Sequence, residues 1–275
     1  MRACVFVVGL VVLGCGESGP VVKTAKPVEQ RNEGVPVFPL ADPPAVSDPN
    51  AAAVAAKIVA AHTANDPALL EKLKTVHVVR DGIMNQRPGE STGDLPVRIE
   101  FTAAWPDRCK YSFNPSAGVG FSLYQADGQA DRFPDTPPLT AADITAFHRD
   151  AFVEWLLLLV PLGDPNVTFG PGPEMVIDGK KYPGLRLWKK DAPQVILSYD
   201  PATFRILKWT YNSLSTSGID AQIELIPSKF DSKNGLLYPE TLTVRRAGIS
   251  MITFTKSVVE FPKSFDKSTF KVPKK

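Results

Sequence analysis

The sequence predicts an α+β protein in which about ten or eleven antiparallel strands wrap around one mid-chain helix. Two observations carry this. From residue 75 onward most segments alternate apolar and polar residues with period two, and Asp-Gly, Asn-Gly and Pro signals interrupt them about every ten to fifteen residues. That is the pattern of a meandering antiparallel sheet, with too many strands for a flat open sheet to stay flat. Thr140–Leu162 breaks the rhythm. Ile144, Phe147, Ala151, Phe152 and Trp155 recur at spacings of three and four, and Trp155–Val160 is apolar on every side. A helix apolar all round is buried or faces something other than water, and this one is too short for a bilayer span of ~20 residues. The chain has 275 residues, 44% hydrophobic and 22% charged, with net charge +2. This is ordinary globular composition with no electrostatic argument for nucleic acid or an acidic substrate.

In chain order, residues 1–14 read as a secretory signal, with Arg2 as its basic start and Cys4–Leu13 as its apolar run. The ending Val12-Leu13-Gly14-Cys15 resembles the bacterial lipobox, in which a small residue precedes the cysteine that becomes lipidated. The resemblance makes Cys15 the mature N-terminus and a lipid anchor, and several acyl chains would hold a membrane stably. Residues 15–50 are rich in proline and charge, from Pro20 to Pro49. They are expected to form a disordered, semi-stiff tether with an upper reach on the order of 100 Å, leaving 51–275 as the folded domain.

Ala51–Ala64 reads as an Ala-rich helix with Val54, Ile58 and Val59 on one side. Asp66-Pro67 then opens a second short helix with Leu69, Leu70 and Leu73 on one face. Strands follow at Val76–Val79, Val97–Trp105, Cys109–Phe113 and Val119–Tyr124, with Asp127-Gly128 as a hairpin turn. Thr140 or Asp143 caps the mid-chain helix, and Pro161, Gly163 and Pro165 stop it. The later strands are Met175–Ile177, Tyr182–Lys189, Val195–Tyr199, Phe204–Tyr211, Ile219–Ile226, Tyr238–Arg245 and Ile249–Phe261. Their turns fall at Asp178-Gly179, Asn234-Gly235 and Ala247-Gly248.

A lipidated leader, a helix AAKIVAAHTANDPALLEKLKTVHV running into the first strand, and a mid-chain helix ending LLLLVPLGD are followed by an Asp-Gly-Lys hairpin, a Tyr-Asp-Pro-x-Thr-Phe-x-Ile turn and a closing FPKSFDKSTFKVP. This order resembles the LolA/LolB-like superfamily of bacterial envelopes from about Ala51 to Pro273. The resemblance implies an incomplete antiparallel barrel with helices as a lid or plug on its concave face, over an apolar cavity that takes acyl chains. A tethered form, as Cys15 implies, is similar to the family's outer-membrane acceptor rather than its soluble shuttle. Gly16 is not the Asp that retains lipoproteins in the inner membrane of enteric bacteria, so the outer membrane is favoured. Leu236-Leu237 is the candidate for the acceptor's exposed apolar loop.

No chemical motif competes with this. His62, His77 and His148 have no metal-ligand spacing and read as interface or capping residues, so neither metal nor cofactor is expected. Ser264-Phe265-Asp266-Lys267 matches a bare S-x-x-K without its companions. Cys109 reads as a small buried strand residue, and Asp143 with Asp150 as a solvated helix face. An enzyme is therefore not expected.

What remains is apolar surface. Phe101, Trp105, Tyr111, Phe121, Phe152, Trp155, Leu156, Leu159, Leu187, Ile196, Phe204 and Ile206 are the expected wall of a cavity for a lipid or a lipoprotein acyl chain. The alternative is a filled core of the same fold, serving as a scaffold for an envelope protein. In either case a monomer is expected.

Overall fold

The computed structural model describes residues 40–85, 94–117, 120–127, 129–134, 139–214 and 220–273. Residues 1–39, Cys15 among them, lie outside the described residues, as do Gly128, Pro137 and Pro138. The last part of the expected 15–50 tether is a correction: it docks on the sheet, where the Trp188 indole N–H donates to the Ala41 carbonyl at 2.8 Å, and the first helix already starts at Pro49.

Twelve strands form one antiparallel sheet. The first meander is β1 (Thr75–Met84), β2 (Leu95–Ala104), β3 (Arg108–Pro115), β4 (Phe121–Ala126) and β5 (Gln129–Phe133). The second is β6 (Thr168–Ile177), β7 (Lys180–Trp188), β8 (Val195–Tyr199), β9 (Ile206–Leu214), β10 (Asp220–Lys233), β11 (Leu236–Arg246) and β12 (Ile249–Glu260). The last strand pairs with the first, so the order across the sheet is β5-β4-β3-β2-β1-β12-β11-β10-β9-β8-β7-β6. The open edges are therefore β5 and β6, consecutive in sequence and joined by the mid-chain helix.

Turn chemistry sets the hairpins. Asp178-Gly179, Asn234-Gly235 and Ala247-Gly248 all have positive φ at both residues, the geometry whose twist matches paired strands. Two strands run longer than their prolines suggested. β6 carries Pro171 and Pro173 because it is an edge, where a missing N–H costs no ladder bond, and β10 carries Pro227 at a register shift. The outer edge of β6 is covered locally: Asp48 N–H donates to the Phe169 carbonyl at 2.9 Å, and Phe169 N–H to Ser47 Oγ at 3.0 Å.

The sheet is open but curled. Trp105 directly follows β2 and Lys189 directly follows β7, seven strands apart in the order. At ~4.8 Å per strand a flat sheet would separate them by roughly 34 Å. Instead Lys189 Nζ sits 4.6 Å from the centroid of the Trp105 ring. An incomplete barrel is the shape that allows this.

Three helices pack within the curl. α1 (Pro49–His62) is capped by Asp48, whose side chain accepts from Ala51 N–H, and starts with proline in its first turn. The short α2 (Pro67–Leu73) is capped in the same way by Asp66. α3 (Ala141–Leu157) opens with a capping box: the Thr140 side chain accepts from Asp143 N–H and Asp143 accepts from Thr140 N–H. It ends two residues before Leu159, which is buried in the left-handed region at φ 64°, and Pro161 then continues as a 3₁₀ turn. Among the described residues no helix is long and apolar enough to cross a membrane.

Candidate ligand site beneath helix α3

The register decides which residues face the helices. On β1, Val76, Val78 and Arg80 point the same way, opposite Ala103, Phe101 and Ile99 of β2, which in turn face Cys109, Tyr111 and Phe113 of β3. Across the sheet, Leu187 pairs with Val195 and Phe169, and Leu225 with Trp209 and Val244. All of these except Arg80 belong to one buried apolar cluster shared with α1 and α3. Leu156 is fully buried at the centre, where burial of a leucine side chain contributes roughly 1.5–3 kcal/mol. Trp155 meets Phe101 and Trp105 edge-on, at centroid distances of 5.6 and 5.2 Å.

Most of the expected wall residues meet here. Phe101, Tyr111, Phe121 and Leu187 come from the concave face, and Phe152, Trp155, Leu156 and Leu159 come from α3 and its end. Trp105 stands at the rim. Ile206 is in the same core but under α1, where its N–H donates to Nε2 of His62 at 3.1 Å. Phe204 sits outside that seat, stacked on Tyr199 with Lys57 of α1 above it. Ile196 is a correction. It lies between Val195 and Leu197, which point into the core, so strand alternation turns it to the opposite face, beside Gly184.

The space itself is small. Between α3 and the sheet lies a cavity of about 20 Å³ lined by Arg80, Tyr111, Asp150, Glu154 and Tyr211 among apolar neighbours, room for about one water. A larger recess of about 200 Å³ opens at the rim between Trp105, Phe152 and Trp155 on one side and Lys189–Ala192 on the other.

The small cavity marks an ionic clasp that the sequence reading missed. Arg80, 2% exposed, donates Nη1 to Oε1 of Glu154 at 3.1 Å and Nη2 to Oε2 of the same carboxylate. Its Nε and Nη2 also donate to the Tyr238 hydroxyl at 3.0 and 2.8 Å. Burial by itself would lower the Arg80 pKa, but the Glu154 charge and Tyr238 outweigh it and hold the guanidinium charged. One turn earlier, Asp150 is buried and accepts from the Tyr211 hydroxyl. Burial and then Glu154 push its pKa well above the usual carboxylate range. Its second oxygen and the Tyr111 hydroxyl have no partner. The expected solvated face is thus overturned: Asp143 and Asp150 are both buried, Asp143 folded back onto Thr140 in the capping box and Asp150 turned toward the sheet, while Ala141, Ala142 and Thr145 form the exposed side of the first turns. Parity along β1 was the available signal, since Arg80 shares the face of Val76 and Val78. On α3, Glu154 continues the apolar series Phe147, Ala151, Leu158.

Other expectations resolve simply. The Cys109 thiol is buried, its pKa raised by desolvation, and its contact is Gln125 Oε1 at 3.7 Å. Leu236 is fully buried and the Leu237 carbonyl bonds His62, so this hairpin presents no exposed apolar loop. His77 bonds Thr102 Oγ1 at 2.9 Å, on the face away from the core.

No family model and no curated protein matches the chain. Solved structures do show likeness. An outer membrane lipoprotein-sorting protein domain from Vibrio parahaemolyticus has TM-score 0.45 at 12% identity, over 80% of this chain and 95% of that one. A LolA superfamily protein from Nitrosomonas europaea has TM-score 0.45 at 16% identity, over 74% and 96%. A DUF1329 family protein from Desulfovibrio piger has TM-score 0.43 at 10% identity, over 81% and 96%. The superfamily that the sequence order resembles is also the one named in this comparison. At TM-scores below 0.5 these likenesses are weak, and what this chain binds has to be argued from its own residues.

Proposed function

We propose that this chain is a lipid-anchored protein of the bacterial envelope that binds a lipid or acyl chain on the concave face of its sheet, in the place α3 occupies in the closed form. The anchor rests on the Gly14-Cys15 ending of the leader, and the outer membrane on Gly16. The observation that carries the binding reading is the clasp. A helix meant as permanent core gains most from an apolar face, whereas a buried ion pair adds little net stability over a hydrophobic replacement. α3 does bury an apolar side, Phe147, Phe152, Trp155 and Leu156 among it, but it also lies on the sheet through Glu154–Arg80 and the buried Asp150, and leaves a buried tyrosine hydroxyl unpaired. Its removal would expose a trough lined by Ile99, Phe101, Leu225, Leu242, Val244 and Phe254. An alkyl chain there gains ~25 cal/mol per Å² buried.

The test is native mass spectrometry of residues 40–275 purified from membrane-containing cells. A bound lipid mass is expected; a clean protein mass, unchanged after incubation with lipid vesicles, rejects the reading. The anchor is tested separately, since a fatty-acid analogue should label the parent chain and fail to label Cys15→Ala. A second reading, a filled scaffold module for another envelope protein, is favoured by one observation, the cavity of only about 20 Å³. Cross-linking in cells to a protein, with no lipid retained, would select it.

A further inference from the structure

The clasp divides unequally between its two sides. Its acids, Glu154 and Asp150, travel with α3. Its receiving groups belong to the sheet: Arg80 on β1, Tyr111 on β3, Tyr211 on β9 and Tyr238 on β11, all buried. Arg80 uses its fork on both Glu154 oxygens, and its Nε and Nη2 also donate to the Tyr238 hydroxyl. Tyr111, facing the same cavity, has no partner for its hydroxyl. The two open rings that flank the guanidinium, Tyr238 at 6.0 Å and Phe254 at 5.7 Å, fix its plane.

We propose that this sheet-borne cluster is the receptor for the charged head of an anionic amphiphile, a carboxylate or phosphate carried on an alkyl chain, and that Glu154 stands in for that head while the protein is closed. The assignment rests on the function proposed above, in which the ligand replaces α3. Three features lead to it. A planar guanidinium fork matches two oxygens of a carboxylate or phosphate. The surrounding wall that stays with the sheet is apolar, Ile99, Leu242, Val244 and Phe254, which suits a chain and not a free ion. Departure of α3 strips a 2% exposed cation of its counter-charge, and a neutral lipid would leave it bare. The site therefore rejects an uncharged ligand as firmly as it accepts an anionic one, because the unpaired group is the penalty.

The experiment uses the full chain as Cys15→Ser, with dodecanoate, dodecyl phosphate, dodecanol and inorganic phosphate, each below its micelle concentration. Binding is read by the fluorescence of the four tryptophans, Trp155 and Trp209 in the core among them, and by native mass. At least one of the two anionic amphiphiles should bind roughly ten- to a hundred-fold more tightly than dodecanol, the range of one charge-assisted hydrogen-bond pair, and phosphate alone should not bind. Which of them is tighter identifies the head group. Glu154→Gln removes the internal competitor and should tighten the anionic ligand and dodecanol by a similar factor, leaving the preference between them in place. The double variant Arg80→Met with Glu154→Leu leaves no bare charge. It should keep the fold by circular dichroism, bind dodecanol and lose the preference. Equal affinity for all three amphiphiles overturns the assignment, as does a preference that survives the double variant. Inorganic phosphate binding as tightly as dodecyl phosphate would make this an anion site and also overturn it. Failure of every amphiphile to bind rejects instead the function on which the assignment rests.

Discussion

α1 and α3 both lie inside the curl of the sheet, yet they are seated differently. α1 presents Ala51, Ala55 and Ile58, and its one buried polar side chain, His62, is satisfied at both nitrogens: Nδ1–H donates to the Leu237 carbonyl at 3.0 Å and Nε2 accepts from Ile206 N–H. Those partners fix one neutral tautomer. α3 sets the buried Asp150 and the partly buried Glu154 against an arginine and three tyrosines and leaves Asp150 Oδ2 and Tyr111 OH without partners. A dry, fully paired interface is a fixed plug, and an ionic, partly unpaired one is the part of a structure that can be exchanged. The difference identifies α3, not α1, as the element a ligand would displace.

The largest effect that would break this comparison is at Arg80. Arg80→Met leaves Glu154 bare in the interior and should cost about 3–5 kcal/mol in urea unfolding, and adding Glu154→Leu should return most of it. If the single and double variants are equally unstable, the clasp is not the seat of α3. Ile58→Ala, on the α1 side, should cost about 2–5 kcal/mol through the cavity it opens while leaving ligand affinity as it was. A matching fall in affinity would make α1 part of the exchange.

The two seats should also respond to pH in opposite directions. Burial holds the His62 pKa below 6.5, with the Leu237 bond opposing and the Arg205 charge adding to it. The unfolded chain then takes the proton first, so the stabilisation is present above pH 6.5 and falls away as the pH drops below it, by at most about 1.4 kcal/mol per pH unit. Protonated Nε2 could no longer accept from Ile206. His148 on α3 is lowered by burial as well, so the slope belongs to His62 only if His62→Gln flattens most of it. Asp150 has the opposite sign. Its pKa is raised from 3.8, so its contribution is complete below that value and is lost as pH rises toward the folded pKa. Asp150→Asn should therefore protect α3 amides from hydrogen exchange at pH 8 more than at pH 4. Equal protection at both would remove Asp150 from the account. The smallest effect is at the cap: Thr140→Ala should cost about 1 kcal/mol, confined to exchange in the first turn of α3.

Much of the frame was legible in the chain. Asp178-Gly179 and Asn234-Gly235 placed their hairpins because residues tolerant of positive φ make that turn, whereas Asp81-Gly82, which reads as the same signal, runs on inside β1 at a register shift. The Thr140–Asp143 box placed the start of α3, and period two placed the concave faces of β2 and β3. Three expectations fail, each where a side chain's direction decides. Those at Ile196, Asp143 and Asp150 follow residue type too closely: period two along β8 turns Ile196 outward, the Thr140 box folds Asp143 in, and only the burial of Asp150 comes from strands far away in sequence. Two leucines at 236 and 237 read as an exposed tip for that last reason. α1, some 175 residues earlier, lies against them.

By itself the sequence determined the elements, since local turn, cap and period signals suffice for those. It also carries the Val12-Leu13-Gly14-Cys15 pattern on which the proposed anchor rests. Only the tertiary structure decided that β12 closes on β1, that the open edges are β5 and β6 with α3 between them, and that Arg80 meets Glu154 across 74 residues. Strand order and a buried ion pair depend on which faces meet after the sheet curls. No local propensity encodes that meeting, because the energy that fixes it comes from burying both partners at once.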